Sequence, residues 1–360
     1  METVVPVYNR CRIRAGITME VFLSLLPRHF TVRSPPPVGG RRFPGTFPPQ
    51  TEMDQRMNTP PFRRVVLIGI GLLGGSIVLA LRRRHPSVAV AAMRYRPETG
   101  LTHCDLATLY PADFTSIGDA IDGSGECVSE AEYVSETFAT ADLVIICTPV
   151  QTISEIVRRV AALGSPRMLV TDVGSTKRSI VTTIESEGPL PGGVRFIGSH
   201  PIAGSEKNGP EAATPTLLDN RIVAVTPTER SLADDVRRLE TFWELLGART
   251  LTLTPSAHDR ILARTSHLPH LVAAVLSNCV SEKDFPLTGT GFRDTTRIAA
   301  GLPSLWVPIF QSNREPLLDA VTSFQIQLSM FREALESNDA RRIEEFLTKA
   351  RGNRHAVGSP

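Results

Sequence analysis

Four stretches of this sequence carry residue types that can do chemistry at a spacing that suits it. The first, "VVLIGIGLLGGS", sets Gly69, Gly71 and Gly74 as GxGxxG, with Leu72 and Leu73 before the third glycine. Between a strand and a helix, such a turn takes a dinucleotide pyrophosphate. The first glycine permits the tight turn, the second lets the backbone approach the phosphates, and the third lets helix pack on strand. The helix N-terminus then offers unpaired N–H groups to the anion. The competing reading is a purely structural glycine turn. The second stretch, "AAMRYRPE", puts Arg94 about 20 residues beyond the last motif glycine, where the ribose partner belongs. An acid there accepts the 2′-hydroxyl of NAD. An arginine matches a 2′-phosphate bidentately instead, which makes NADP the preferred cofactor and NAD the second choice. A solvated surface arginine is the bland alternative. Thr148 and Pro149, closing the apolar run "DLVIICTP", are expected to border the cofactor, and Asp142 to begin that strand.

The third and fourth stretches end later strands. "LVTDVGSTKRSI" places Ser175 in a strand-to-helix turn, where an N-cap is the simplest role. "FIGSHPIAGSEKNG" places His200 between a strand and a Gly/Pro-rich loop. A histidine there can take a proton near neutral pH, and a buried structural histidine is equally compatible. Further on, "SHLPH" sets His267 and His270 three apart on one helix face. Read alone the pair suggests a metal, but no cysteine or acid cluster completes a site.

These residues need a scaffold in which strand ends converge. Apolar runs of strand length recur at "RVVLIGI", "VAVAAM", "DLVIICT", "RMLVTDV", "VRFIGSH", "RIVAVTP" and "RTLTLT", with helical stretches between several of them. Short continuous apolar strands alternating with helices describe a parallel sheet covered on both faces. In "SLADDVRRLETFWELLGA", Ser231 is expected to cap a helix and Gly247 to end it. From Pro255 strand signals cease. "SAHDRILARTSHLPHLVAAVLSNCVS" reads as one long helix with Ser256 as N-cap, and further helices follow. The expected fold is α/β, a Rossmann-type dinucleotide-binding domain over 62–254 followed by an all-helical dimerisation domain over 255–350, with a flexible tail at 351–360. The helices hold many apolar residues for so small a unit, which points to a homodimer formed through them. Residues 1–61, with "SPPPVGGRRFPGTFPPQ", read as a disordered leader or as chain ahead of a true start at Met53 or Met57. A transit peptide fits the arginines but not the prolines.

Bulk composition excludes several classes. Over 360 residues the net charge is +2 and charged residues make up 21%, so no global field argues for nucleic acid or a membrane surface. No apolar run reaches the length of a membrane span. The five cysteines form no CxxC pair, which points to reduced thiols and a cytoplasmic protein.

Taken in order, "GIGLLGGS", "DVGSTK", "GSHPIAGSEKNG", "HDRILARTSHLPH" and "GTGFRDTTRIAAGLPSLW" resemble the prephenate/arogenate dehydrogenase family of tyrosine biosynthesis, over residues 63 to 335. The resemblance implies an NAD(P)-dependent oxidative decarboxylation of prephenate, or of arogenate, with no metal. By the same resemblance His200 is the catalytic histidine that bonds the substrate hydroxyl, and Ser175 orients it and the nicotinamide. His270 faces substrate and Arg297 clamps a carboxylate; Arg293 is a further substrate-binding candidate, a surface residue being the alternative, and Asp294 joins that site by positioning its neighbours. Ser205 and Glu206 shape access to the pocket. His267 stays structural, and Trp306 is either a site or a core aromatic. The second histidine of "SHLPH" favours prephenate, whereas Glu206 meeting an amino group would favour arogenate. Neither an attached mutase region nor a C-terminal regulatory domain is expected. The rival readings are a β-hydroxyacid dehydrogenase or imine reductase, which needs no His200–Arg297 pairing, and a non-catalytic dinucleotide-sensing dimer.

Overall fold

The apolar runs of the first half assemble into one layered sheet. The computed structural model describes residues 59–114, 129–204 and 209–358. The expectations for the leader and for Ser205 and Glu206 lie outside the described residues. In chain order the elements are β1 (Arg64–Ile68), α1 (Leu72–Arg84), β2 (Ala89–Arg96), β3 (Gly100–His103), α2 (Leu106–Leu109), α3 (Glu130–Thr140), β4 (Leu143–Ile146), α4 (Val150–Leu163), β5 (Leu169–Asp172), α5 (Arg178–Ser186) and β6 (Arg195–Phe196). The sheet order is β3-β2-β1-β4-β5-β6, parallel except for the β2–β3 pair. Alternate residues of β1 and β4 serve opposite faces. Val66, Ile68, Val144 and Ile146 pack with Phe138, Ile153 and Val157, while Leu67, Leu143 and Ile145 pack with Ile77, Phe242 and Trp243. Burial on both faces is why these strands read as unbroken apolar runs.

Two departures from the expected sheet have local causes. Strand β3 is an antiparallel edge, reached through Gly100 at φ 77, a conformation open to glycine. The run "VRFIGSH" is not one strand. Ile197 N donates to Val170 O at 3.0 Å, and the chain then leaves β5 to begin β7 (Gly198–Pro201). With β8 (Ile222–Thr226) and β9 (Arg249–Thr252) it forms a second sheet, β7-β8-β9, antiparallel then parallel. Gly198 is required at the switch, since a Cβ there would meet Thr226 Oγ1 at 2.6 Å.

Helix α6 (Ala233–Leu245) joins β8 to β9. Ser231 does not cap it. Its hydroxyl accepts from Thr228 N at 3.0 Å in the preceding turn, and Leu232 occupies the cap. Gly247 does close it, at φ 91, donating to Glu244 O.

Beyond residue 254 the described chain is helical: α7 (Pro255–Leu262), α8 (Leu268–Asn278), α9 (Thr290–Thr296), α10 (Pro303–Ser312), α11 (Arg314–Glu336) and α12 (Ala340–Val357). Thr254, not Ser256, caps α7, accepting from Ala257 N at 3.2 Å. The expected single long helix is interrupted by a π-helical turn at Ala263–His267. Pro269, two residues on, has no N–H for the carbonyl four positions back, so the backbone ladder shifts by a residue there. Residues 351–357, expected to be a loose tail, continue α12. Helix α11 leaves Leu318, Ile326, Leu328 and Met330 exposed. No helix among the described residues is long and apolar enough to cross a membrane.

Candidate active site

The glycine turn is shaped by the strands around it. Gly69 at φ 95 donates its N–H to Met93 O at 2.9 Å, and a Cβ on it would press on Cys147 O at 3.0 Å. Gly74 lies buried under the Gly69 carbonyl, where a Cβ would overlap that oxygen. Gly71 differs from both: nothing lies within 4 Å of its Cβ position, and no side chain caps the helix it starts. Two glycines are thus demanded by packing and one stands clear beside unclaimed helix N–H groups. That opening fits a pyrophosphate. Leu72 and Leu73, half-buried, begin α1.

Arg94 is exposed, one residue past Met93, the last parallel partner of β1. It does not end β2. The strand runs on to Arg96 because Arg94 pairs with Thr102 of β3. Thr148 and Pro149 follow β4 directly beside the turn, Thr148 Cγ2 lying 3.2 Å from the Gly69 Cβ position. Asp142 precedes β4, at the opposite end of the strand, and accepts from Arg63 N and Arg64 N.

At the ends of β5 and β7 the site is made of side chains. Asp172 and Lys177 form an ion pair with both side chains fully buried. Burial pushes the Asp172 carboxyl up and the Lys177 ammonium down, each shift opposed by the partner charge. Asp172 also accepts from Gly174 N at 2.9 Å and Ser199 N at 3.3 Å, tying the two strand ends together. It also raises the pKa of the buried Cys147 thiol, behind burial itself. The chain of neighbours therefore runs from the glycine turn through Cys147 and Asp172 to Ser199 and His200. Ser175 sits half-buried on the turn between β5 and α5. It is not the N-cap, which falls to Lys177 without a side-chain bond of its own.

That helix is capped from outside. Asp259 of α7 accepts from Lys177 N at 2.8 Å and from Arg178 N at 2.9 Å. The neighbouring His258 places Nδ1 2.8 Å from Asp259 Oδ1 and Nε2 2.9 Å from His200 Nδ1. This fixes the tautomers by elimination. An ionised carboxylate only accepts, so His258 Nδ1 donates to it. In neutral His258, Nε2 is then an acceptor, and His200 Nδ1–H donates to it. The lone pair of His200 is left on Nε2. Burial, and after it the neighbouring His258, Lys177 and His267, hold His200 well below the ordinary histidine pKa, so it is neutral at pH 7.

The helical segment supplies the remaining candidates. His270 stacks on Trp306 at 3.5 Å between ring centroids, with its pKa lowered mainly by burial and in part by Arg297 nearby. Arg297 opens the short helical turn Arg297–Ala300 that follows α9. Arg293 and Asp294, both exposed, lie on α9 itself. His267 closes the π turn, and its ring and that of His270, three residues on, both neighbour Trp306, at 6.2 and 3.5 Å between centroids. It is 1% exposed, with Nδ1 3.0 Å from Asn313 Nδ2. Among the described residues no group of three or more histidine, cysteine or acid side chains is placed to hold an ion. A cavity of about 460 Å³ between α5 and α6 touches none of the candidates, and its polar groups are paired: Arg195 with Asp235, Thr228 with Glu185.

Sequence reasoning missed Asp172, Lys177, His258, Asp259 and Asn313. The adjacent pair in "AHDRIL" was the one available signal, and nothing in its spacing shows that it meets a strand end 58 residues earlier.

Comparison with known proteins identifies the family. Residues 124–252 match the family model "Prephenate dehydrogenase, nucleotide-binding domain", and residues 254–349 match "Prephenate dehydrogenase, dimerization domain". The prephenate dehydrogenase of Bacillus subtilis is 32% identical over 300 residues, covering 81% of this chain and 76% of that one. The crystal structure of prephenate dehydrogenase from Aquifex aeolicus, in complex with hydroxyphenyl propionate and NAD+, superposes with a TM-score of 0.66 at 29% identity, covering 82% of this chain and 98% of that one. Arogenate dehydrogenase of Synechocystis superposes with a TM-score of 0.62 at 25% identity, covering 82% and 99%. This chain belongs to the prephenate dehydrogenase family and is an oxidoreductase that uses a nicotinamide dinucleotide.

Proposed function

We propose that this chain converts prephenate to 4-hydroxyphenylpyruvate, in tyrosine biosynthesis, with His200 as the proton acceptor. The observation that carries the reading is the free Nε2 lone pair of His200, left over once His258 and Asp259 have claimed its other nitrogen. The bound nicotinamide supplies the hydride acceptor. As the hydride leaves the ring carbon bearing the hydroxyl, His200 Nε2 takes the hydroxyl proton. The ring C–CO₂ bond then breaks, its electron pair enters the ring, and the oxygen recovers a proton as a phenol. His200 shuttles that proton, and its neutral state at pH 7 suits it for the first step. Ser175, on the turn between β5 and α5, orients it. His270 and Arg297 bind substrate carboxylate and ring, with Arg293 and Asp294 at the margin. Ser205 and Glu206, which follow His200 in the sequence, shape entry to the site. Gly69, Gly71 and Gly74, with Leu72, Leu73, Thr148 and Pro149, hold the dinucleotide.

Arg94 supports a preference for NADP. It is exposed at the ribose end of β2, where a guanidinium suits a 2′-phosphate. The relative from Aquifex aeolicus was crystallised with NAD+, so the preference is this chain's own prediction. The exposed apolar side chains of α11 support a homodimer through the C-terminal helices, and the free cysteines Cys104, Cys147 and Cys279 suit a cytoplasmic enzyme. Arogenate is the second substrate reading, favoured by the likeness to the Synechocystis enzyme.

A steady-state assay of prephenate and arogenate, each with NAD and NADP, tests the reading. Prephenate with NADP is expected to give the highest kcat/KM. His200→Asn is expected to lower turnover by about 10²–10⁴-fold while dinucleotide binding is kept. Retained turnover by that variant sinks the mechanism.

A further inference from the structure

His267 is the one histidine of the cluster that the proposed chemistry leaves idle, yet its bonding is the most constrained. Asn313 Nδ2 donates to Asp259 O at 2.8 Å. A carbonyl oxygen only accepts, so the amide of Asn313 cannot be turned round without setting oxygen against oxygen. The second hydrogen of that amide points to His267 Nδ1, 3.0 Å away. His267 Nδ1 is therefore an acceptor, and the ring proton resides on Nε2. Protonating Nδ1 would set two donors face to face. Burial acts in the same direction, taking the pKa down to about 4. His267 is a neutral residue with a fixed Nε2–H donor.

That donor has no partner. His267 Nε2 is a buried atom without a hydrogen bond, on a side chain 1% exposed. The Trp306 ring stands nearly perpendicular at 6.2 Å between centroids, too far for its face to serve as acceptor. An unmet buried donor costs about 1–3 kcal/mol, a cost that a ligand acceptor removes. His267 also lies among the reacting groups, acting electrostatically on His200 and acted on by Asp259, His258 and His270.

We infer that His267 Nε2–H binds the ring carboxylate of the substrate, the group that departs as CO₂. The inference rests on the reading of this site as a prephenate dehydrogenase. The argument is one of charge. A cation on the departing carboxylate would hold the ground-state anion and oppose its conversion to neutral CO₂. Only interactions that persist or strengthen on the way to the transition state accelerate the step. A neutral N–H orients that carboxylate with little charge to surrender. The guanidinium of Arg297 is then left for the side-chain carboxylate, which keeps its charge throughout.

Two substitutions separate the two nitrogens. In His267→Asn, Oδ1 can stand in for Nδ1 and keep the bond from Asn313, but the Nε2–H donor is lost. In His267→Gln, Nε2 can stand in for the donor while the Asn313 acceptor is lost. Each is assayed by steady-state kinetics on the substrate that wild type turns over, by Tm, and by calorimetric binding of hydroxyphenyl propionate, which lacks the ring carboxylate. The expected result is a kcat/KM lowered about tenfold to hundredfold in His267→Asn. Its Tm and its affinity for hydroxyphenyl propionate should match wild type. His267→Gln should lose Tm and retain more of kcat/KM than the Asn variant. Wild-type kinetics in His267→Asn, or a parallel loss of hydroxyphenyl propionate binding, overturns the inference alone. A wild-type chain that turns over neither prephenate nor arogenate overturns the functional reading together with it.

Discussion

The two ends of the candidate site are built on opposite principles. The dinucleotide end is bare backbone: Gly71 stands in open space, Arg94 reaches into solvent, and no side chain caps the helix. The histidine end is interlocked side chains, with His200, His258, Asp259, Lys177 and Asp172 buried and bonded in sequence. The open end can accept a ligand whose own phosphates satisfy the backbone. The buried end must complete its bonding internally, because a half-satisfied polar cluster costs more than an apolar one. The exception, His267 Nε2, is therefore informative where an unpaired N–H at the glycine turn would not be.

The contrast implies that substitutions at one end leave the other intact. After His200 itself, the largest effect is expected from Asp259→Asn, which removes the carboxylate that orients His258 and caps α5. Its kcat should fall by about tenfold to hundredfold, as for other partners that orient a reacting histidine. Calorimetric dinucleotide affinity should hold. Equal loss of both would show that the two ends are one cooperative unit.

A smaller effect, confined to the open end, is expected from Arg94→Asp. The ratio of kcat/KM for NADP over NAD should drop by roughly tenfold or more, with kcat on NAD preserved. A wild type that prefers NAD would refute the role given to Arg94.

The glycines divide the open end further. Gly71→Ala should weaken dinucleotide binding and leave Tm unchanged, since its Cβ meets nothing in the free chain. Gly74→Ala should lower Tm by several degrees, at about 2–4 °C per kcal/mol for a chain of this size, because the Gly69 carbonyl must move. If both lower Tm alike, the second glycine is structural after all.

The smallest effect is a pH dependence of stability from the buried end. His267 is neutral when folded, with a pKa of about 4 set by burial, while the unfolded chain has the ordinary histidine value. Between these values the unfolded state binds the extra proton. The stability is complete above about pH 6.5 and is lost progressively as pH falls towards 4. His267→Asn should flatten the Tm profile over that window, and an unchanged profile would remove His267 as its source.

How much was legible follows the same division. The glycine turn could be read because its requirements are local: φ at Gly69, contact at Gly74 and clearance at Gly71 all lie within six residues. The parallel core was legible because two-sided burial writes itself as apolar runs, Leu143–Ile146 for example. The antiparallel β3 left no such mark, being a half-buried edge. The split of "VRFIGSH" between two sheets was invisible because both halves are strand and only Gly198 marks the change of partner. His200 and His270 were singled out by type and by resemblance. Ser231 and Ser256 were expected to cap helices on residue type alone, whereas Leu232 takes the first cap position without a side-chain bond and Thr254 caps the second helix.

By itself the sequence determined the α/β class, the glycine-rich turn between the first strand and helix, and the change to helices after residue 254. These rest on period, composition and short-range sterics, which a linear string contains. Tertiary structure alone decided the tautomer of His200, the capping of α5 by Asp259 and the unpaired donor on His267. Each depends on which acceptor a folded chain brings within 3 Å of a given nitrogen, across 58, 82 and 46 residues of sequence respectively for the bonds from His200, Lys177 and Asn313.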